Sequence, residues 1–358
     1  MTLKLRDRDA IVTREGLILR VFGYSHPEGA FICDAEYASE NIFRSKDPRA
    51  LRNGGGKTFY KFYDDEGWKF VFNNYPKYTV YHEMLETKVV GANQADIAET
   101  RQPPERLQEL TLKEPADRLH AAMLRVLATA ESRSGLQTEN FGVFGSMLHG
   151  FYHPDYSDID LLIYGGKQNA QMREALASLY AEENSGFSNE FETEDAMKGK
   201  RWRFKNFTVQ EFVWHQRRKL IYGLYYDAES KRTIKAEFEP VKDWCEIFNE
   251  YSPEIRIVRK DWVRLKARVV ADVDAPFIPS VYGIEPLEVQ SGSSKALEAV
   301  RVVSFMEEFR QQVQRDEVVL VEGGLEEVVS PKGSFYQIAL TYCPRYYEQM
   351  LKVAKLQL

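Results

Sequence analysis

Cysteine is scarce in this chain. Cys33, Cys245 and Cys343 are the three in 358 residues, far apart and odd in number, so they support neither a disulfide framework nor a CxxC pair that clips a metal or cycles between redox states. Such usage fits a reducing cytoplasm. Long apolar runs are also missing: no stretch approaches the ~18 uninterrupted apolar residues of a membrane-spanning helix. The amino terminus, Met1 to Asp9, mixes both charges where a signal peptide needs an apolar segment. A soluble, cytoplasmic protein is the expectation. Nor is positive charge in excess. The 48 Lys and Arg residues stand against 54 Asp and Glu, a formal net charge of −6, which excludes a globally basic nucleic-acid wrapper and leaves room for a local basic groove. No histidine shares a zinc-ligand spacing with a cysteine.

What the chain does have is an ordinary globular composition, 44% hydrophobic and 13% aromatic, which excludes collagenous, coiled-coil and wholly disordered classes. At about 150 residues per domain the length predicts two or three domains, and the local patterns separate three. Residues 1–107 read as a β-rich module, with strands at Leu17 to Gly23, Ala30 to Cys33, Thr58 to Tyr63 and Tyr78 to Tyr81. The run Asn53-Gly54-Gly55-Gly56-Lys57-Thr58 superficially suggests a phosphate loop, but that motif needs a glycine where Leu51 stands, so a hairpin turn is the better reading. The polar stretch from Ala92 to Arg106, with Pro103-Pro104, marks the first boundary.

Residues 108–248 mix helices and strands. A helix over about 115–133 carries Leu119, Met123, Val126, Leu127 and Ala130 at helical spacing and stops at Gly135. Strands follow at Phe141 to Phe144 and Ile159 to Tyr164, then a helix over about 168–183. Residues 249–358 read as an α+β module: a strand from Trp262 to Val273, a helix over about 295–314 started by Ser293 or Ser294 and burying Leu297, Val300, Phe305 and Phe309, then strands at Val318 to Val321 and Phe335 to Tyr342.

One segment carries chemistry. Phe141-Gly142-Val143-Phe144-Gly145-Ser146 is followed, after eleven residues, by Asp158-Ile159-Asp160-Leu161-Leu162-Ile163. Two carboxylates one residue apart on a strand project from the same face. Among Ile and Leu that arrangement is costly unless a cation neutralises it, and Mg2+ takes one or two carboxylates together with phosphate oxygens. Two such ions about 4 Å apart activate a hydroxyl and stabilise a leaving pyrophosphate. Gly145 at the strand end allows a phosphate to approach the backbone, and Ser146 adds a hydroxyl and an N–H.

Strand, Gly-Ser turn, short helix and a second strand with Asp-x-Asp resemble the DNA polymerase β nucleotidyltransferase superfamily. The Ser157-Asp158-Ile159-Asp160-Leu161 variant looks especially like the minimal nucleotidyltransferases and the archaeal predicted nucleotidyltransferases. The likeness is close over about 25 residues and loose over about 130. It implies an α+β fold in which residues 108–248 form a polymerase β-like nucleotidyltransferase domain with a short mixed sheet, flanked by the two modules. It also implies transfer of a nucleoside monophosphate from an NTP, such as ATP, to a hydroxyl with release of pyrophosphate. Asp158 and Asp160 would hold Mg2+ (or Mn2+) in a two-metal site, and Gly145 and Ser146 the triphosphate. The third carboxylate of the superfamily lies on a later strand between apolar residues. In Ile234-Lys235-Ala236-Glu237-Phe238-Glu239 the best fit is Glu237, then Glu239, with Asp227 third.

One departure matters. Minimal nucleotidyltransferases often place an Arg soon after Gly-Ser, whereas this chain has Met147-Leu148-His149-Gly150, so triphosphate contacts come partly from elsewhere. Between the carboxylate strands, Lys198, Lys200, Arg201, Arg203, Lys205, Arg217, Arg218 and Lys219 mix with Trp202, Phe204, Phe207, Phe212 and Trp214. That composition suits phosphates and stacked bases. Arg217, Arg218 and Lys219 are therefore candidate nucleotide-binding residues, and an RNA or other polynucleotide end a candidate acceptor. Two further readings stand beside this one: an antitoxin-type regulatory module that modifies or binds a protein partner, and a catalytically silent nucleotide-binding scaffold.

Overall fold

The computed structural model describes residues 3–54, 56–341 and 345–355. The chain divides into two compact units. The first comprises Met1–His82, Glu86–Phe187 and Gly223–Tyr251, the second Glu83–Leu85, Ser188–Tyr222 and Ser252–Leu358.

The first unit begins with a sheet of short strands: β1 (Ala10–Val12), β2 (Leu17–Val21), β3 (Ala30–Ser39), β4 (Leu51–Gly54), β5 (Lys57–Lys61), β6 (Thr79–His82), β7 (Thr87–Asn93) and β8 (Glu99–Arg101). They pair in the order β4-β5-β3-β2-β1-β8, with β7 on β3 and β6 on β7. Helix α1 (Glu66–Asn74) covers the sheet through Val71, and Ile11, Leu17, Leu19, Val21 and Phe31 fill the space beneath it. Apolar alternation at these positions is what drives the face inward. The glycine-rich run is a hairpin: Gly54 pairs with Lys57 and Asn53 with Thr58, Gly55 lying outside the described residues. The stretch from Ala92 to Arg106 is more ordered than its composition suggests. It holds β8 and opens α2 (Pro103–Thr111), where Pro103 occupies the first helical turn, the position at which a missing N–H is harmless.

The same unit continues with α3 (Arg118–Ser134), β9 (Phe141–Val143), α4 (Gly145–His149), β10 (Ile159–Tyr164) and α5 (Gly166–Ala181). Asp117 caps α3 by accepting from the N–H groups of Leu119 and His120, and Gly135 closes it with φ +73°. After the short β11 (Phe187–Asn189) and α6 (Val209–Arg217) the chain returns as β12 (Tyr222–Asp227) and β13 (Arg232–Val241). These strands form a mixed sheet in the order β11-β12-β13-β10-β9, in which β10 runs parallel to β13 and antiparallel to β9. A buried ion pair ties the amino-terminal segment to this sheet: Arg8 Nη2 lies 2.6 Å from Glu239 Oε2 on β13, both side chains almost fully enclosed. The Arg8 guanidinium also lies 5.4 Å from the centre of the Phe144 ring, next to the Gly-Ser turn.

The second unit is built on β14 (Arg256–Ala271), β15 (Ser280–Ser291), β16 (Ala299–Ser304), β17 (Val318–Ser330), β18 (Gly333–Leu340) and β19 (Met350–Val353). Strand β14 pairs with β15 on one side and β17 on the other, so β14-β15-β16-β18-β17 closes into a five-stranded barrel. Within it β16 and β18 are parallel, and β19 adds to β17. The helix expected over about 295–314 is absent: Ser294–Glu298 is a single 3-10 turn, Ala299–Ser304 is strand β16, and Glu307–Phe309 is another 3-10 turn. Pairing with β15 and β18 satisfies this backbone, burying Val302 and Val303 and leaving Leu297 and Val300 half exposed. Tertiary pairing outweighs the helical spacing of those apolar residues.

Loss of one partner from a buried ion pair leaves an uncompensated charge, at a cost of about 3–5 kcal/mol, whereas apolar replacement of both is often near neutral. Arg8→Met should lower the urea-unfolding free energy by about 3–5 kcal/mol, and the Arg8→Met, Glu239→Met double variant should recover much of that loss. A double variant as unstable as the single one would show that the pair is not what anchors the amino-terminal segment.

Candidate functional site

Strand β9 ends at Val143, and the next residue, Phe144, donates its N–H to the carbonyl of Asp160 at 3.0 Å. Gly145 follows with φ +61°, and a Cβ there would stand 2.3 Å from Asp160 Oδ2. Glycine is thus required twice over, by the left-handed backbone and by the carboxylate packed against it. Ser146 is buried in the first turn of α4, and the N–H of Phe151 returns to its carbonyl at 3.2 Å.

The spacer between Ser146 and Asp158 is pinned from several sides. Arg106 Nε donates to Met147 O at 3.3 Å, the Tyr152 hydroxyl donates to the α3 cap Asp117 at 2.7 Å, and Arg118 pairs with Asp155. Arg232, on β13, donates to the carbonyls of Pro154 at 3.0 Å and Ser157 at 2.8 Å. Its guanidinium therefore sits where its charge acts on Asp158. His149 packs edge-on against Tyr37 and beside Phe151, its Nδ1 3.2 Å from Arg101 Nη1. Burial, and then the Arg101 charge, push its pKa down to about 3, so the imidazole is neutral at physiological pH.

The parallel register of β10 and β13 sets Asp160 opposite Glu237 and Leu162 opposite Glu239. Paired residues on neighbouring strands share a face, so Asp160 and Glu237 stand side by side, with Asp158 two residues before Asp160 and Glu239 two residues after Glu237. The Asp160 carboxyl is held well above the ordinary carboxylate range. Desolvation contributes most, followed by repulsion from Glu237, Asp158 and Glu239, while the Lys61 ammonium opposes them. Lys235 Nζ lies 2.9 Å from Glu237 Oε1.

The three sequence candidates for a third acid have distinct surroundings. Glu237 lies beside Asp160. Glu239 is engaged by Arg8. Asp227 accepts from Arg125 Nη2 at 2.7 Å and from the Ser230 N–H at 3.0 Å, hydrogen bonds that hold its carboxyl below the usual range despite burial. Among the described residues no three His, Cys, Asp or Glu side chains stand in ready metal-binding geometry.

The basic-aromatic segment belongs to the second unit. Phe204, Phe207 and Phe212 are buried in its core, Phe204 stacked on Phe212 and Phe207 on Phe309, with Trp202 meeting Phe212 edge-on. Lys219 is fully buried and donates to the carbonyl of Glu308. Arg218 pairs with Glu317 at 2.6 Å and lies over the Trp214 ring, and Arg217 pairs with Glu192 at 3.5 Å. These aromatics are core residues rather than a stacking face, because the barrel needs them to fill its interior.

Residues 125–220 match the family model of the nucleotidyltransferase domain. The chain carries a nucleotidyltransferase domain. The matched span takes in the Gly-Ser turn and Asp-x-Asp of that domain and stops before β13. Over 338 residues the chain is 28% identical to a protein of Methanocaldococcus jannaschii described as uncharacterized, with 94% of each covered. That likeness runs well beyond the nucleotidyltransferase segment and takes in both flanking regions. No solved structure matches the chain. No helix among the described residues is long and apolar enough to cross a membrane.

Sequence reasoning missed the contributions of the amino-terminal region to this site: Arg8, Tyr37, Gly54 and Lys61. No local signal marks them, since each acts across a long sequence separation.

A raised carboxyl pKa in the folded state weakens stability as pH climbs above the unfolded value of about 4, and the penalty is complete above the raised value. Without divalent metal, Asp160→Asn should therefore melt at a higher temperature than the natural chain at pH 7–8, and the gap should close as the pH falls towards 4. A gap that is independent of pH would remove the charge-repulsion account.

Proposed function

We propose that the protein transfers a nucleoside monophosphate from an NTP to an acceptor hydroxyl, with a divalent metal, and releases pyrophosphate. The observation that carries this is the register pairing Asp160 with Glu237 beside Gly145, on the domain matched by the nucleotidyltransferase family. Several carboxylates crowd one face, where burial and then repulsion from Glu237, Asp158 and Glu239 raise the Asp160 carboxyl, and hard oxygen donors in such an arrangement suit Mg2+ or Mn2+. Asp158, Asp160 and Glu237 would hold the ion, which when bound screens the charge on the reacting phosphates.

The remaining work falls to the chain. Gly145 leaves the backbone open beside Asp160, and Ser146 offers a hydroxyl at the same turn. The acceptor oxygen attacks the α-phosphorus and the bond to the oxygen bridging to the β-phosphate breaks. Pyrophosphate leaves with the electron pair, while the hydroxyl proton passes to a carboxylate of the cluster. Proton uptake there is favoured because it lowers the mutual repulsion. The proposal commits to a hydroxyl acceptor; the case for a polynucleotide end weakens because the phenylalanines at 204, 207 and 212 are core residues.

The experiment supplies each α-labelled NTP in turn with Mg2+ or Mn2+ and with total RNA or total protein, then asks which fraction takes label. Asp158→Asn and Asp160→Asn should reduce labelling to background. Glu237→Gln should slow the chemical step with little change in NTP affinity. Label in protein rather than RNA would favour the antitoxin-type reading. NTP binding without transfer to any acceptor would favour the silent scaffold, and undiminished transfer in the Asp variants would refute the site.

A further inference from the structure

The turn that begins at Gly145-Ser146 has no cation of its own with which to meet a polyanionic triphosphate. Met147, Leu148, Gly150 and Phe151 are uncharged, and His149 is held neutral. Nearby cations are engaged: Arg8 by Glu239, Lys235 by Glu237, and Arg232 by two backbone carbonyls.

Lys61 differs. It closes β5 directly opposite Tyr37 on β3, with Nζ 6.0 Å from the Tyr37 ring centre. Among the described residues it has no ion-pair partner within 4.0 Å. The hairpin that carries it is clamped onto the Gly-Ser turn. The Gly54 backbone lies so close to Gly150 and Phe151 that a Cβ would stand 2.2 Å from Gly150 O. Phe59 packs on Phe151 at 5.3 Å, and Tyr37 meets the same ring edge-on at 4.9 Å. Lys61 is therefore a half-buried ammonium, held by a docked sheet, whose charge acts on Asp160, the residue packed against Gly145.

We propose that Lys61, contributed by the amino-terminal sheet, binds the triphosphate of the incoming NTP and replaces the cation missing after Gly145-Ser146. This rests on the nucleotidyl-transfer reading above and extends it to the amino-terminal sheet, which becomes part of the substrate site. A lysine is a point charge that can follow a flexible phosphate chain, and its attraction falls mainly on the triphosphate rather than on base or sugar.

The test measures calorimetric affinity for the α,β-methylene analogues of the four NTPs and for the matching monophosphates, in Mg2+. Lys61→Gln should bind the preferred triphosphate analogue about tenfold more weakly, which is about 1.4 kcal/mol, with monophosphate affinity unchanged. Lys61→Arg should retain most of the affinity. Lys88→Gln, on β7, whose pairing with β3 runs over Ala30 to Ile32, should behave as the natural chain. Unchanged triphosphate affinity in Lys61→Gln, or equal losses for triphosphate and monophosphate, would overturn the assignment. If the natural chain binds and transfers NTP and Asp160→Asn is inactive while Lys61→Gln is unaffected, this inference alone falls. If the natural chain binds no NTP, the transfer reading falls with it.

Discussion

Carboxylate repulsion on one face of the β10–β13 pair is the constraint around which the first unit is arranged. Asp158, Asp160, Glu237 and Glu239 are brought together by a parallel register, and each has a cation assigned to it or acting on it. Arg8 meets Glu239, Lys235 meets Glu237, the Arg232 charge acts on Asp158, and that of Lys61 acts on Asp160. Three of these cations are occupied, by an acid or by backbone carbonyls. The Asp160 carboxyl is held above its ordinary range by burial and then by repulsion from Glu237, Asp158 and Glu239, and it is the carboxylate packed against Gly145. Burial of charge at this density is tolerable in a folded protein only with compensating charge, which for Glu239 comes from Arg8, more than two hundred residues away along the chain.

That dependence gives the amino-terminal sheet a role beyond protecting a core. Arg8, just before β1, pairs with Glu239 on β13, and the β4–β5 hairpin leans on the turn after Ser146 through glycine and aromatic contacts. An ordinary side chain at position 54 would push the hairpin off Gly150. The glycine-rich run therefore serves close approach of two backbones, not a phosphate loop of its own.

The second unit obeys a different rule. Its closed barrel and the α6 segment share one apolar core, so aromatic residues that alternate with Lys and Arg over 198–219 turn inward while the charges pair locally. A basic and aromatic composition has two folded outcomes, a binding face or a core with a solvated rim. Composition is blind to which one occurs. The expected helix over about 295–314 failed for a related reason. Leu297 and Val300 share a helical face in sequence, but strand pairing of Ala299–Ser304 on both sides satisfies the backbone without a helix.

Legible in the sequence alone were the Gly-Ser turn, the spacing to Asp158 and Asp160, a helix over about 115–133 that stops at Gly135, and the short strands of the amino-terminal region. All of these are local: each rests on side-chain periodicity or on a backbone preference within a few residues. Apolar flanks ranked Glu237 above Glu239 and Asp227 as sequence, but said nothing of what each acid meets in the fold. Tertiary structure separated them: parallel pairing set Glu237 beside Asp160, Arg8 took Glu239, and Arg125 took Asp227. Register between strands more than seventy residues apart, and the partner of a buried charge, depend on how distant surfaces meet. One residue of slip reverses which side chains share a face, and no pattern within either strand records the choice.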